Sequence, residues 1–277
     1  MTMHTPPGPG SWFAAPDPSP YAEAVLFVFP HAGGTAPLYR AWAETLPSTV
    51  DVRVLRLPGR QERLSEPPFT RLAPLLDELQ EALEAELDGR PYLLFGHSFG
   101  GLLAYRLTVA MEQSDGEVPQ LLAISGWAPG LSSSRELNLV YEMTDADLLT
   151  RVAELGLIPD GIPANRELLA TVMPSLRGDF CVAADYRDDE VAVHCPVAAY
   201  SGTSDPLLVP DGPDAMSVWA DRSETFLGST EFPGGHFYLF EHAAAIHSSL
   251  DRHLRRQLAG TWPPSETSPT PRPSPLP

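Results

Sequence analysis

Short, continuous apolar runs alternate along the chain with stretches whose apolar residues recur at helical spacing. AVLFVFP (24–30) runs unbroken into Pro30 and is followed by HAGG, the pattern of a buried parallel strand that ends in a glycine turn. DVRVLRLPG (51–59) interleaves Val52, Val54, Leu55 and Leu57 with charged residues and stops at Pro58-Gly59, which predicts a second strand nearer the sheet edge. Leu72, Leu75, Leu76, Leu79 and Leu83 then mark one face of a helix, with Asp77, Glu78, Glu81 and Glu84 largely on a solvated opposite face. PYLLFGHS (91–98) predicts a third strand, GGLLAYRLTVAM (100–111) a helix and PQLLAISG (119–126) a fourth strand. Strands alternating with helices at this spacing predict an α/β fold, with right-handed crossovers around a mostly parallel, doubly wound sheet.

From about 131 to 190 the pattern changes to helical segments, among them DADLLTRVAEL (145–155) and RELLATVMPSL (166–176), with no convincing strand. Such an insertion reads as a helical lid. VHCPVAAYSG (193–202) and ETFLGSTEF (224–232) resume the sheet, and a helix through FEHAAAIHSSLDRHLRRQL (240–258) closes it. The two ends differ from this middle. Proline totals 31, roughly twice ordinary usage, and the excess is concentrated in residues 1–20 and 261–277. The first of these is expected to be a mostly disordered leader and the second a disordered Pro/Ser/Thr-rich tail. A single domain over 21–260 remains, long enough to bury a substantial core.

Composition narrows the chemistry. All 18 basic residues are arginine, so a lysine Schiff base, a pyridoxal-phosphate anchor, a Ser/Lys dyad and a Walker lysine are excluded. The 36 acidic residues bring the net charge to −18, the wrong sign for binding nucleic acid by counterion release. Cys181 and Cys195 are too few for a disulfide scaffold and lack a CxxC metal spacing. The N-terminus has no basic stretch followed by an apolar one, and no apolar run reaches membrane-spanning length. A cytoplasmic protein without membrane attachment is the expectation.

Gly96-His97-Ser98-Phe99-Gly100 is a GxSxG pentapeptide placed where a predicted strand gives way to a predicted helix. A nucleophile elbow turns so sharply that side chains two residues either side of Ser98 would strike neighbouring backbone, hence the flanking glycines. An elbow serine needs a base, and in this kind of fold the chain order is nucleophile, acid, base. His4 lies in the leader, and His31 and His97 precede Ser98; His242, His247 and His253 fall on the closing helix, and His194 begins a strand. His236 remains, in the glycine-rich FPGGHFYLF directly after a strand, and is the expected base. Asp205, in SGTSDP at the end of the preceding strand, is the expected acid; Asp211 and Asp214 are alternatives beyond Pro206 and Pro210, better suited to capping the next helix. Oxyanion donors are expected from the backbone N–H groups of Phe99 and of Ala32 in FPHAGG. This chemistry calls for no cofactor and no metal.

FPHAGG (29–34), LPGRQER (57–63), GHSFG (96–100), GTSDP (202–206) and PGGHFYL (233–239), taken in order, resemble the external, type II thioesterases that accompany polyketide and nonribosomal-peptide assembly lines, within the α/β-hydrolase fold. The resemblance spans about 22–258. It implies hydrolysis of acyl groups from the phosphopantetheine thiol of acyl- or peptidyl-carrier proteins, freeing stalled or misprimed synthases, with the triad falling on Ser98, Asp205 and His236. The family elbow is commonly GHSMG; Phe99 departs from it, which bears on pocket shape because only its backbone N–H is used. A serine hydrolase of small-molecule esters or peptides and a chain-releasing thioesterase are the other enzymatic readings. A binding protein on a hydrolase scaffold is the non-enzymatic one, and no triad member is missing to support it. Carrier proteins of these systems are usually acidic, so a chain at −18 gains no global attraction to them. Docking is then expected through a local arginine patch, with Arg60 and Arg63 as candidates, or through apolar contact near the channel mouth.

Overall fold

The computed structural model describes residues 11–15, 19, 21–131, 138–154, 156–157, 166–212 and 214–258. Its strands are β1 (Phe13–Ala14), β2 (Ala24–Phe29), β3 (Val50–Leu55), β4 (Tyr92–His97), β5 (Leu121–Ser125), β6 (Val197–Gly202) and β7 (Phe226–Phe232). They form one seven-stranded sheet in the order β1-β3-β2-β4-β5-β6-β7. Every neighbouring pair is parallel except β1 with β3. Because β3 and β4 lie on opposite sides of β2, the chain winds outward in two directions, and a crevice opens at the carboxyl ends of β2 and β4.

The helices that follow the strands explain why the strand sequences are apolar without alternation. Val25, Phe27 and Phe29 share one core cluster with Leu75, Leu79 and Leu83 of α2 (Leu72–Glu86) and Leu102 and Leu103 of α3 (Phe99–Gln113). Ala24, Leu26 and Val28 point the other way, into a cluster with Trp42 of α1 (Arg40–Thr45) and Ile246, Leu250 and Leu254 of the closing helix. A sheet covered on both faces buries odd and even positions alike. The acidic residues of α2 at 77, 78, 81 and 84 are exposed, as their spacing predicts.

Several expectations change in detail. Phe13–Ala14, inside the expected disordered leader, pairs antiparallel with Leu55 and Val54, and Phe13 is fully buried against Phe27 and Phe29. A two-residue edge strand is invisible to composition averaged over a Pro-rich stretch. The remaining leader residues at 1–10, 16–18 and 20, and the whole tail 261–277, lie outside the described residues. The charged positions of β3 do not face water: Arg53 is buried and donates to Asp51 and, at 2.6 Å, to Glu86 at the end of α2. The strand expected over 193–202 is laddered only from Val197, with Val193 making a single bridge to Ser223.

Among the described residues, 131–190 contains a 3-10 turn at Asn138–Tyr141, α4 (Asp145–Glu154) and α5 (Arg166–Asp185), and no strand. Helix α5 continues through Pro174 to Asp185, past its expected end. These elements share a small core of their own, including Val140, Leu148, Val152, Met173 and Phe180, which Leu207 joins from the loop after β6. The closing helix is two segments, α6 (Tyr238–Glu241) and α7 (Ala243–Leu258), broken at His242. Among the described residues no helix is long and apolar enough to cross a membrane.

Candidate active site

Ser98 turns the chain from β4 into α3 with φ 55° and ψ −120°, a backbone conformation that few non-glycine residues adopt. Two hydrogen bonds hold the turn: the Ser98 N–H donates to the Ser125 carbonyl at 2.8 Å, and the Ser98 carbonyl accepts from Gly101 N–H at 2.8 Å. The flanking glycines are dictated by backbone approach. A Cβ on Gly96 would sit 2.2 Å from the Gly100 carbonyl oxygen, and one on Gly100 would sit 1.9 Å from the Phe29 carbonyl oxygen. The same two residues that make the elbow therefore press α3 against β4 and β2.

Asp205 follows β6 and His236 follows β7, so both reach the crevice from the carboxyl ends of parallel strands. Their side chains are wholly buried, and His236 Nδ1 lies 2.8 Å from Asp205 Oδ2. A carboxylate accepts, so Nδ1 carries the proton and Nε2 is left with its lone pair. The other Asp205 oxygen accepts from the Leu207 N–H at 3.0 Å, which fixes the carboxylate plane. Asp211 and Asp214 are exposed. Ser98 and His236 line one cavity, whose walls are otherwise mostly apolar: Leu102, Trp127, Leu131, Phe180, Tyr186 and Leu207 among others. Leu131, Phe180 and Tyr186 come from the 131–190 insertion, which thus forms part of the wall over the serine.

Two further histidines flank the pair, and burial keeps both neutral. His97 packs against His236 with ring centroids 4.8 Å apart, and its Nδ1 is 2.8 Å from Ser125 Oγ, which in turn is 2.6 Å from the Tyr238 hydroxyl. Its pKa is held well below the ordinary histidine value by burial and then by the neighbouring His236 ring. His31, in the loop after β2, is lowered to about 3, chiefly by burial. Neither was assigned a role from sequence, and the His97–Ser125–Tyr238 chain could not be read there because its members are brought together only by the sheet.

The loop after β2 and the start of α3 bring candidate backbone donors to the cavity. Ala32 and Phe99 both line the cavity, and Phe99 is the first residue of α3, where a helix leaves its N–H groups without intrahelical partners. The neighbouring amides are committed elsewhere: Gly33 N–H donates to Asp179 Oδ2 at 2.7 Å and Gly34 N–H to the His31 carbonyl at 2.8 Å. Ala32, beside these two, lines the cavity as the loop's candidate donor. Arg60 and Arg63, by contrast, do not form a docking patch. Arg60 is buried in an ion pair with Asp179, and Arg63 is buried under the Trp12 ring while its guanidinium binds Glu66 and the Arg56 carbonyl. The two arginines of LPGRQER are turned inward, where they hold loops together, while Glu62 is exposed.

A strained serine after β4, an aspartate after β6 and a histidine after β7 of one mostly parallel sheet, in the chain order that an elbow nucleophile, acid and base would have, define the class: an α/β hydrolase. Within that class the chain belongs to the thioesterase-domain family, which it matches over residues 24–254. It is 30% identical to the thioesterase PikA5 of Streptomyces venezuelae, over 88% of this chain and 86% of that protein. A relative named linear gramicidin dehydrogenase LgrE, from Brevibacillus parabrevis, is 31% identical over 91% of this chain and 95% of its own length. Among solved structures, the type II thioesterase BorB of the borrelidin biosynthetic cluster superposes with a TM-score of 0.77 at 30% identity, covering 92% of this chain and 100% of that one.

Proposed function

We propose that this thioesterase removes aberrant or stalled acyl chains from the phosphopantetheine arm of acyl- or peptidyl-carrier proteins in a polyketide or nonribosomal-peptide system, through an acyl-enzyme on Ser98. The observation that carries the mechanism is the buried His236–Asp205 hydrogen bond of 2.8 Å opening onto the same apolar cavity as Ser98. Its relatives, a type II thioesterase of a borrelidin biosynthetic cluster among them, support the substrate class.

In this reading His236 Nε2 takes the Ser98 hydroxyl proton as Oγ attacks the thioester carbonyl, and Asp205 stabilises the imidazolium that forms. The Ala32 and Phe99 N–H groups receive the negative charge on the tetrahedral oxygen. Collapse expels the pantetheine thiolate, which takes the proton from His236; a thiol of pKa about 8.5 is an easy leaving group. Water, deprotonated by the same Nε2, then attacks the acyl-serine; collapse breaks the acyl C–Oγ bond, Ser98 Oγ takes the proton back from His236, and the carboxylic acid leaves. Neutral His97 beneath His236 adds no competing positive charge to this cycle. The apolar wall suits an acyl chain, and the insertion covers it.

Purified protein should hydrolyse a panel of acyl-loaded carrier proteins, and Ser98→Ala should lower that rate by at least roughly 10³-fold. Near wild-type turnover in the alanine variant would end the assignment of the nucleophile. Faster hydrolysis of oxygen esters than of thioesters bearing the same acyl group would replace the carrier-editing reading with that of a small-molecule esterase.

A further inference from the structure

The loop that carries Ala32 is gripped from two directions by one buried ion pair. Arg60 Nη2 lies 2.7 Å from Asp179 Oδ1, with both side chains almost entirely buried. Each partner also holds the loop backbone: Arg60 Nη1 donates to the Gly34 carbonyl at 3.3 Å, and Asp179 Oδ2 accepts from the Gly33 N–H at 2.7 Å. Gln61, next to Arg60, adds a third hold by accepting from the Ala36 N–H at 3.2 Å. Asp179 belongs to α5, and α5 also fills the space beside the loop, since a Cβ on Gly33 (φ +72°) would be 3.0 Å from Leu176 Cδ1.

These contacts reach the candidate oxyanion donor through peptide geometry. Gly34 N–H donates to the His31 carbonyl at 2.8 Å. That carbonyl shares a planar trans peptide with the Ala32 N–H, so the two bonds point in opposite directions. Turning the His31 carbonyl toward Gly34 therefore sets the direction in which the Ala32 N–H points. Stability alone is a poor reason to keep such a pair. A buried ion pair is often no better than apolar side chains of similar volume, and Arg60 Nε is buried with no hydrogen-bond partner among the described residues.

We infer that the Arg60–Asp179 pair is a clamp that aims the Ala32 N–H by fixing Gly33 and Gly34, making Arg60 and Asp179 positioning residues for stabilisation of the tetrahedral intermediate. The inference rests on the reading of Ala32 as an oxyanion donor. It also joins α5 of the insertion to the catalytic backbone, so that the covering element and the oxyanion site are held in one arrangement.

The test compares wild type with Asp179→Asn and with Arg60→Met/Asp179→Leu, the second chosen because it leaves no unpaired buried charge. Three quantities are measured: kcat and KM on an acyl-pantetheine thioester, inhibition by a trifluoromethyl ketone analogue that forms a tetrahedral adduct with serine, and binding of a thioether analogue lacking the carbonyl. The clamp predicts kcat lower by at least about 10-fold and ketone affinity lower in parallel, with KM and thioether binding within about 3-fold of wild type. An unchanged kcat, or ketone and thioether binding weakening together, would overturn it. Loss of folding in both variants would overturn it too, since the pair would then serve the domain's integrity. If wild type hydrolyses p-nitrophenyl esters and no thioester, the carrier-editing function fails, while the ester kcat and the ketone still read the clamp.

Discussion

At the scale of single residues, the closeness of backbone segments around Ser98 leads to opposite expectations for adjacent glycines. A methyl group on Gly100 would meet the Phe29 carbonyl oxygen at 1.9 Å, and neither β2 nor α3 can retreat without disturbing the core clusters on the sheet. Gly100→Ala should lower unfolding free energy by about 3 kcal/mol or more in a urea titration, at the upper end of overpacking costs. Gly101, one position on, would place its Cβ 3.3 Å from Trp127 Cβ, a tight contact offset by the better helix propensity of alanine. Gly101→Ala should stay within about 1 kcal/mol of wild type. Asp205→Asn probes the chemistry and leaves the packing in place: an amide can present its NH2 to His236 Nδ1 and favour the wrong tautomer. It should lower kcat by roughly 10³-fold or more while the urea midpoint falls much less than for Gly100→Ala. Equal losses of activity and stability would make Asp205 a structural residue only.

At the scale of elements, α7 is fastened to α1 by a histidine that titrates with folding. His247 Nδ1 is 2.8 Å from Thr45 Oγ1, its ring stands edge-on to Trp42 at 4.6 Å, and burial lowers its pKa to about 4. In the unfolded chain a histidine binds a proton as pH falls through about 6.5. Between about pH 6.5 and about pH 4 the unfolded state therefore holds more protons than the folded one, and stability declines as pH falls. His247→Gln, which retains a hydrogen-bonding group for Thr45 and does not titrate, should show a shallower decline of urea midpoint over that window; an identical decline would locate the titration in other histidines such as His31 and His97. The elements themselves were legible where local pattern and burial agree. β2, β4, β5, α2 and α3 follow from apolar runs and helical spacing because a strand covered on both faces is apolar throughout and a helix covered on one face repeats at helical spacing, whichever elements do the covering. Ser98, Asp205 and His236 were legible for the same reason, each lying at the end of a recognisable strand. β1 was not, because its two residues gain order only from pairing with β3, and the inward turn of Arg53, Arg60 and Arg63 was not, because their partners Glu86, Asp179 and Glu66 include two that lie far along the chain or in another layer.

At the scale of the whole molecule, the burial of Arg60 and Arg63 alters how an acidic partner can approach. A chain of net charge −18 meeting an acidic carrier protein is repelled at long range, and salt weakens that repulsion by shortening the screening length from about 30 Å at 0.01 M to about 10 Å at 0.1 M. Of the exposed arginines, Arg71 and Arg255 each sit against a neighbouring carboxylate, Asp185 and Asp251, which reduces the field they offer a partner, while Arg40, Arg187 and Arg252 are dispersed along the chain. With Arg60 and Arg63 buried, docking around the apolar cavity is the expectation, and it makes a distinct salt signature. KM for an acyl-carrier protein should fall as NaCl rises from about 20 mM to about 200 mM, while KM for the corresponding acyl-pantetheine fragment, which lacks the carrier's charge, should stay nearly constant. A carrier KM that instead rises with salt would mean that a local cluster of arginines outweighs the net charge, and substituting exposed arginines one at a time would then show which of them the carrier touches.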